Sequence, residues 1–206
     1  MRQLAARIAA AAIALLARAV TAVRAEWQGS GPIPEQRVYF ANHASNGDFV
    51  LIWSVLPPRM RARTRPVAAA DYWLEGPVRR FAGRDVFDAV LIWRDAARRD
   101  RDLVAQMAEA LDAGASLILF PEGLLPFRTG LYHLAAARPA VALVPVWIEN
   151  LNRVMPKGEV VPIPLVCTVT FGPALRLGEG EGRDPFLARA RAALLALAPE
   201  PREGAR

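Results

Sequence analysis

The sequence predicts an α/β fold, with a central, mostly parallel or mixed sheet flanked by helices and an amphipathic helix ahead of it. Three observations carry this. Short β-branched or apolar runs alternate with longer helix-patterned stretches, the order that a sheet covered on both faces requires. A chain of 206 residues suffices for one substantial core and is short for two. A hydrophobic share of 53% exceeds the ordinary soluble range and asks for a large core or a lipid-facing surface.

The first element is helical. On a projection at about 100° per residue, Arg2, Gln3, Arg7, Arg18 and Arg24 gather on one side, while Ile8, Leu15, Leu16 and many alanines cover the rest. Three readings stand for residues 1–28: a basic helix lying in a headgroup layer, a helix packed on the domain, or a signal peptide ending near Val23-Arg24-Ala25. The longest clean apolar run, Ile8 to Ala17, falls short of the roughly 18 residues a spanning helix needs, so no segment is expected to cross a bilayer. Gly29-Ser-Gly-Pro-Ile-Pro34 has the composition of a hinge, leading into a domain over 35–198 and a disordered tail over 199–206.

Within the domain, strands are expected near 37–42, 65–70, 89–93, 116–120, 142–148 and 165–171. Helices are expected near 49–56, 98–113 and 185–197; Gly114 closes the second, and Asp184-Pro185 has the cap-and-proline signature that opens the third. His133 lies in a helix-like stretch and reads as structural.

A single cysteine, Cys167, excludes an internal disulfide and a thiolate metal cluster, and its strand-like setting marks a small core residue. Two histidines without carboxylate pairs at ligand spacing leave no metal expected. The net charge of +6 comes almost wholly from arginine, since Lys157 is the only lysine. That bias suits phospholipid, phosphorylated substrate or nucleic acid. Arginines at 59, 61, 63 and 65 form a dense basic strip apt for anionic headgroups; no aromatic-interleaved RNA motif accompanies it, so nucleic acid is not the expected partner.

Residues 42–48, Asn-His-Ala-Ser-Asn-Gly-Asp, join a strand pattern to an apolar helix pattern. Five residues apart, His43 and Asp48 differ by about 140° on a helix and meet only across a turn, which Asn46-Gly47 permits. Asp48 at the helix start can then accept a hydrogen bond from one imidazole nitrogen and leave the other free as a base. On the spacing alone, a helix cap beside a polar turn residue is the better reading. Ser45 lacks the Gly-x-Ser-x-Gly setting of a hydrolase nucleophile and reads as a local turn partner, with Asn42.

The same stretch resembles the Asn-His-x-Ser-x-x-Asp block of the glycerolipid acyltransferases, the 1-acyl-sn-glycerol-3-phosphate (lysophosphatidate) type in particular. Three more blocks follow in that family's order: residues 89–95 (AVLIWRD), 117–123 (LILFPEG) and 143–150 (LVPVWIEN). The resemblance implies transfer of an acyl chain from acyl-CoA or acyl-carrier protein, as cosubstrate, to the free hydroxyl of a lysophospholipid. His43 is then the base and Asp48 its orienting carboxylate, with Arg94, Glu122, Gly123 and Arg128 toward the acceptor and its phosphate. No cofactor is implied. The implied location is the cytoplasmic face of a membrane, the inner one in a bacterium, with peripheral or monotopic attachment to anionic lipid. The chain departs from the family after Gly123, where Leu124-Leu-Pro-Phe127 stands in place of Thr-Arg-Ser and a longer loop. A phosphate-binding arginine is thereby lost, which leaves room for another lipid acceptor or for hydrolysis by the same His–Asp pair.

Overall fold

The computed structural model describes residues 1–42, 48–93, 103–120, 127–149 and 167–199, the side chains of 127–129 excepted. Along the first half run α1 (Arg2–Thr21), β1 (Arg24–Trp27), β2 (Arg37–Ala41), α2 (Asp48–Val55), α3 (Pro58–Arg61), β3 (Thr64–Ala69), α4 (Ala70–Trp73), α5 (Pro77–Phe81), a π-helical turn (Ala82–Val86) and β4 (Val90–Ile92). The second half adds α6 (Leu103–Asp112), β5 (Ser116–Leu119), α7 (Phe127–Ala137), β6 (Ala142–Glu149), β7 (Thr168–Phe171) and α8 (Arg183–Leu195).

The strands form one sheet in the order β1-β7-β6-β2-β5-β3-β4. β2 through β6 are parallel; β7 runs antiparallel to β6, and β1 parallel to β7. All five residues of β2 are buried, as the central strand of a sheet covered on both faces demands. Its alternate side chains divide between two cores. Tyr39 and Ala41 join Ile118, Val144, Val146 and Phe171 beneath α1 and α2, while Val38 and Phe40 join Leu117, Leu119 and Leu143 beneath α6, α7 and α8. Each large apolar side chain so buried contributes roughly 1.5–3 kcal/mol, which is why this strand fixes the layer order.

α1 packs through one stripe and exposes the opposite one. Ala6, Ala10, Ala14 and Ala17, small residues that let the helix approach closely, lie against the domain together with Ile13, while Leu4, Ile8, Leu15 and Leu16 are more than 60% exposed. The structure thus combines the packing helix with an outward apolar face. By length and composition α1 is also long and apolar enough to cross a membrane, contrary to the expectation from uninterrupted runs, because Arg7 and Arg18 are the only charges inside its apolar window.

Other expectations are corrected. Residues 24–27 are not part of the N-terminal helix but form β1, pairing Arg24–Trp27 with Thr168–Phe171, and Trp27 stacks on Phe171 with ring centroids 4.0 Å apart. The segment 29–34 is tied down: the Ser30 hydroxyl donates to the Gly172 carbonyl, and the Arg37 guanidinium donates to the Gly31 carbonyl. α8 is capped by Gly182, two residues ahead of the predicted cap Asp184, which instead lies in its first turn. Tail residues 200–206 lie outside the described residues.

Two buried groups in the core couple stability to alkaline pH. Burial pushes the Cys167 thiol up from 9.0 to about 11, with the Glu149 carboxylate adding to it. Burial likewise raises the Tyr39 phenol from 10.0 to about 12, against the pull of Arg37. Both groups hold their protons longer folded than unfolded, so their contribution is full below pH 9 and is lost as pH rises through the folded values. The urea midpoint should therefore fall between pH 9 and pH 11, and iodoacetamide at pH 8 should leave Cys167 unlabelled in the native protein and label it once unfolded.

Candidate functional site at the carboxyl end of the central strand

Because β2 to β6 are parallel, the segments that follow each of them leave from one edge of the sheet. The crossover from β2 runs by α2 over one face, and those from β4 and β5 run by α6 and α7 over the other. Helices diverge above the end of β2, and such a switch point is where open α/β sheets form a crevice for ligands.

Two described residues mark that point of the fold. Asn42, the first residue beyond β2, pairs its side-chain amide with the backbone of Ile148 in β6: its Oδ1 accepts from the Ile148 N–H at 2.7 Å, and its Nδ2 donates to the Ile148 carbonyl at 3.0 Å. The ladder between β2 and β6 ends at Ala41 and Val146, so the amide stands in for one further peptide of the strand. Asp48 opens α2 and is 1% exposed. A carboxylate at a helix N-terminus faces the positive end of the helix dipole and unpaired N–H groups, which makes its burial tolerable. His43 and Ser45 fall between these two fixed points in sequence and lie outside the described residues.

Of the remaining predicted residues, only Arg128 and His133 have a described backbone. β5 is the neighbour of β2, with Phe40 level with Leu119, and the segment holding Glu122 and Gly123 follows it, outside the described residues. Arg128 belongs to the first turn of α7, whose N-terminus faces this edge because the helix carries the chain from the end of β5 to the start of β6; its side chain is not described. Arg94 follows β4, also outside the described residues, and β4 ends three strand spacings from β2, about 14 Å away. Lys157 is likewise outside. His133 is exposed on α7 and its ring meets only Tyr132 among the aromatic contacts of the described residues. Among the described residues no group of three or more His, Cys, Asp or Glu could hold a metal ion.

The basic strip is not beside this site. Arg59, Arg61 and Arg63 precede β3, so they lie at the amino edge of the sheet, where the Arg63 carbonyl accepts from the Ser116 N–H at the start of β5. Arg61 is held there with its guanidinium 5.1 Å from the Trp53 ring and donating to the Ser54 carbonyl. Sequence reading missed Ile148 as the partner of Asn42; its one signal was the block 143–150, which contains it.

A buried carboxylate and an anchored amide at the switch point of a mostly parallel sheet make the carboxyl edge of its strands the candidate site of an α/β domain. Residues 24–149 match the family model described as Acyltransferase, and the chain belongs to that family. Among its curated relatives are proteins named 1-acyl-sn-glycerol-3-phosphate acyltransferase. That of Escherichia coli K12 is 29% identical over 136 residues, covering 56% of this chain and 50% of its own length. That of Haemophilus influenzae is 27% identical over 136 residues, covering 56% and 51%, and that of Salmonella typhimurium LT2 is 26% identical over 129 residues, covering 56% and 48%. The chain thus spans about half the length of these relatives. The crystal structure of the 1-acyl-sn-glycerophosphate (LPA) acyltransferase PlsC from Thermotoga maritima has the same fold, with a TM-score of 0.67 and 19% identity over 95% of this chain and 81% of that one.

Replacing Asn42 by alanine leaves the Ile148 N–H and carbonyl without their partner. The expected cost is about 1–3 kcal/mol, read as a lower urea midpoint at unchanged slope. Asn42→Asp should recover only part of it, because a carboxylate accepts from the N–H but repels the carbonyl.

Proposed function

We propose that the protein transfers an acyl chain from a thioester, acyl-CoA or acyl-carrier protein, to the free hydroxyl of a lysophospholipid, with lysophosphatidate yielding phosphatidate as the first choice. The observation that carries this reading is the burial of Asp48 at the N-terminus of α2, above the end of β2, five residues after His43. Family membership supplies the reaction class, and the names of the relatives supply the acceptor class.

In this mechanism Asp48 accepts a hydrogen bond from one N–H of His43, and the other imidazole nitrogen takes the proton of the acceptor hydroxyl. The oxygen attacks the thioester carbonyl, the C–S bond breaks as the tetrahedral adduct collapses, and the imidazolium returns the proton to the departing thiolate. No acyl-enzyme forms. The acceptor phosphate falls to Arg94, the backbone at Gly123 and Arg128, with Glu122 toward the glycerol. The N-terminus of α7 supports this, since Arg128 lies in its first turn and a helix N-terminus favours a phosphate. Asn42 and Ser45 hold the turn. The reaction asks for no metal or cofactor.

The exposed apolar face of α1 supports attachment to the surface of an anionic membrane, on its cytoplasmic side, where both the lysophospholipid and the thioester donor are available. The acceptor remains the finest part of the reading, since Leu124 to Phe127 replace the family's Thr-Arg-Ser. A set of lysolipids differing only in headgroup decides it: lysophosphatidate should be acylated fastest, and equal rates for a headgroup without a phosphomonoester would move the proposal to another acceptor.

Purified protein with radiolabelled acyl-CoA and lysophosphatidate should form phosphatidate, and His43→Ala, folded by circular dichroism, should lower kcat about 10²–10⁴-fold. Thioester loss that ignores the lysolipid would show a hydrolase instead, and full activity in His43→Ala would dismiss the base.

A further inference from the structure

At the amino edge of the sheet, opposite the candidate site, a groove of about 890 Å³ lies between the first half of α1, the end of α2 and the start of β3. Four guanidinium groups and two carboxylates line it. Both carboxylates are already engaged: Asp88 pairs with Arg65 at 3.1 Å, and Asp85 pairs at 2.9 Å with Arg2, which reaches in from outside. Arg7, Arg61 and Arg63 are left with no carboxylate at ion-pair distance among the described residues, and Arg59 lines an adjoining cavity of about 370 Å³ that shares Arg63.

These cations are placed for a ligand more than for the fold. The Trp53 ring and the Ser54 carbonyl hold Arg61 in position from below, which reduces the entropy an anion must remove on binding. Partial burial, and then the nearby charge of Arg18, hold the Arg61 guanidinium below its usual range. The site therefore carries unbalanced positive charge that an anion would relieve. Guanidinium forks match the oxygens of a phosphate.

The rim identifies the source of the phosphate. Ala11 lines the groove one helical turn from Arg7 on one side and from Leu15 on the other, so the groove opens onto the face that exposes Leu4, Ile8 and Leu15. A free phosphate would use the arginines and leave that apolar border without purpose. A phospholipid uses both.

We propose that this groove binds the phosphate headgroup of an anionic phospholipid, held by Arg7, Arg61 and Arg63, with its acyl chains leaving along the exposed apolar face of α1. The site is separate from the edge where acyl transfer is placed, so a lipid here is neither acceptor nor product in transit; it fastens α1 and α2 to the bilayer at a fixed orientation. The proposal stands independently of the acyl-transfer reading, because the test measures binding alone.

The full chain is titrated calorimetrically with dihexanoylphosphatidylglycerol, dihexanoylphosphatidylcholine and inorganic phosphate, all below micelle formation. The phosphatidylglycerol should bind saturably at one per chain, at least tenfold more tightly than either of the others. The double variant Arg7→Gln, Arg63→Gln removes two exposed side chains and should stay folded while losing at least tenfold in affinity; Leu15→Gln should weaken the lipid and leave inorganic phosphate unchanged. Wild-type affinity in the double variant, phosphate binding as tight as lipid binding, or displacement of the lipid by an acidic acyl-carrier protein that itself saturates the groove would each overturn it.

Discussion

The pairing of the Asn42 side chain with both backbone groups of Ile148 fixes the point at which the central strand ends and the candidate site begins. A strand that simply ended at Ala41 would leave the facing peptide of β6 without a partner, and the following residue would have no set direction. A side-chain amide has the donor, the acceptor and the plane of a peptide group, so it extends the ladder by one rung while releasing the main chain. Eight residues of α2 then begin with a buried carboxylate, at the point where the crossovers on the two faces of the sheet diverge.

On the readings proposed above, the two kinds of work fall on two edges of one sheet. At the carboxyl edge lie the buried Asp48, the start of α7 and the ends of β4 and β5. At the amino edge lie the arginines that precede β3, with α1 laid across the face between them. The reversal follows from geometry: a helix of eight residues is about 12 Å long, enough to return the chain across a short parallel strand. α1 serves both sides because alanines form its packing stripe and leucines and an isoleucine its outer one, so burial of one face does not consume the other.

How much of this was legible follows from the range of each interaction. β2, β5 and β6 announce themselves as continuous apolar runs because a parallel strand buried on both faces has no polar side to display. β1 gives no such sign: Arg-Ala-Glu-Trp is an edge strand, and the partner that makes it a strand, β7, lies more than 140 residues later. The segment at 29–34 reads as a hinge from its glycines and prolines, yet its anchor is the Gly172 carbonyl, invisible to local composition. The arginine strip follows α2 closely in sequence, and only the topology shows that it lies at the opposite edge of the sheet. Asn42 was legible as part of a motif but not as a strand extension, since Ile148 is 106 residues away.

The central claim is that a carboxylate anchored on α2 sets which nitrogen of His43 is free. Nitrogen-15 spectra of the full chain, with His133 as the only other imidazole, read this directly. At pH 8 the account predicts His43 in a single tautomer, protonated on the nitrogen facing Asp48, and a mixture of tautomers in Asp48→Asn. The same tautomer mixture in the wild type and in the variant would contradict it.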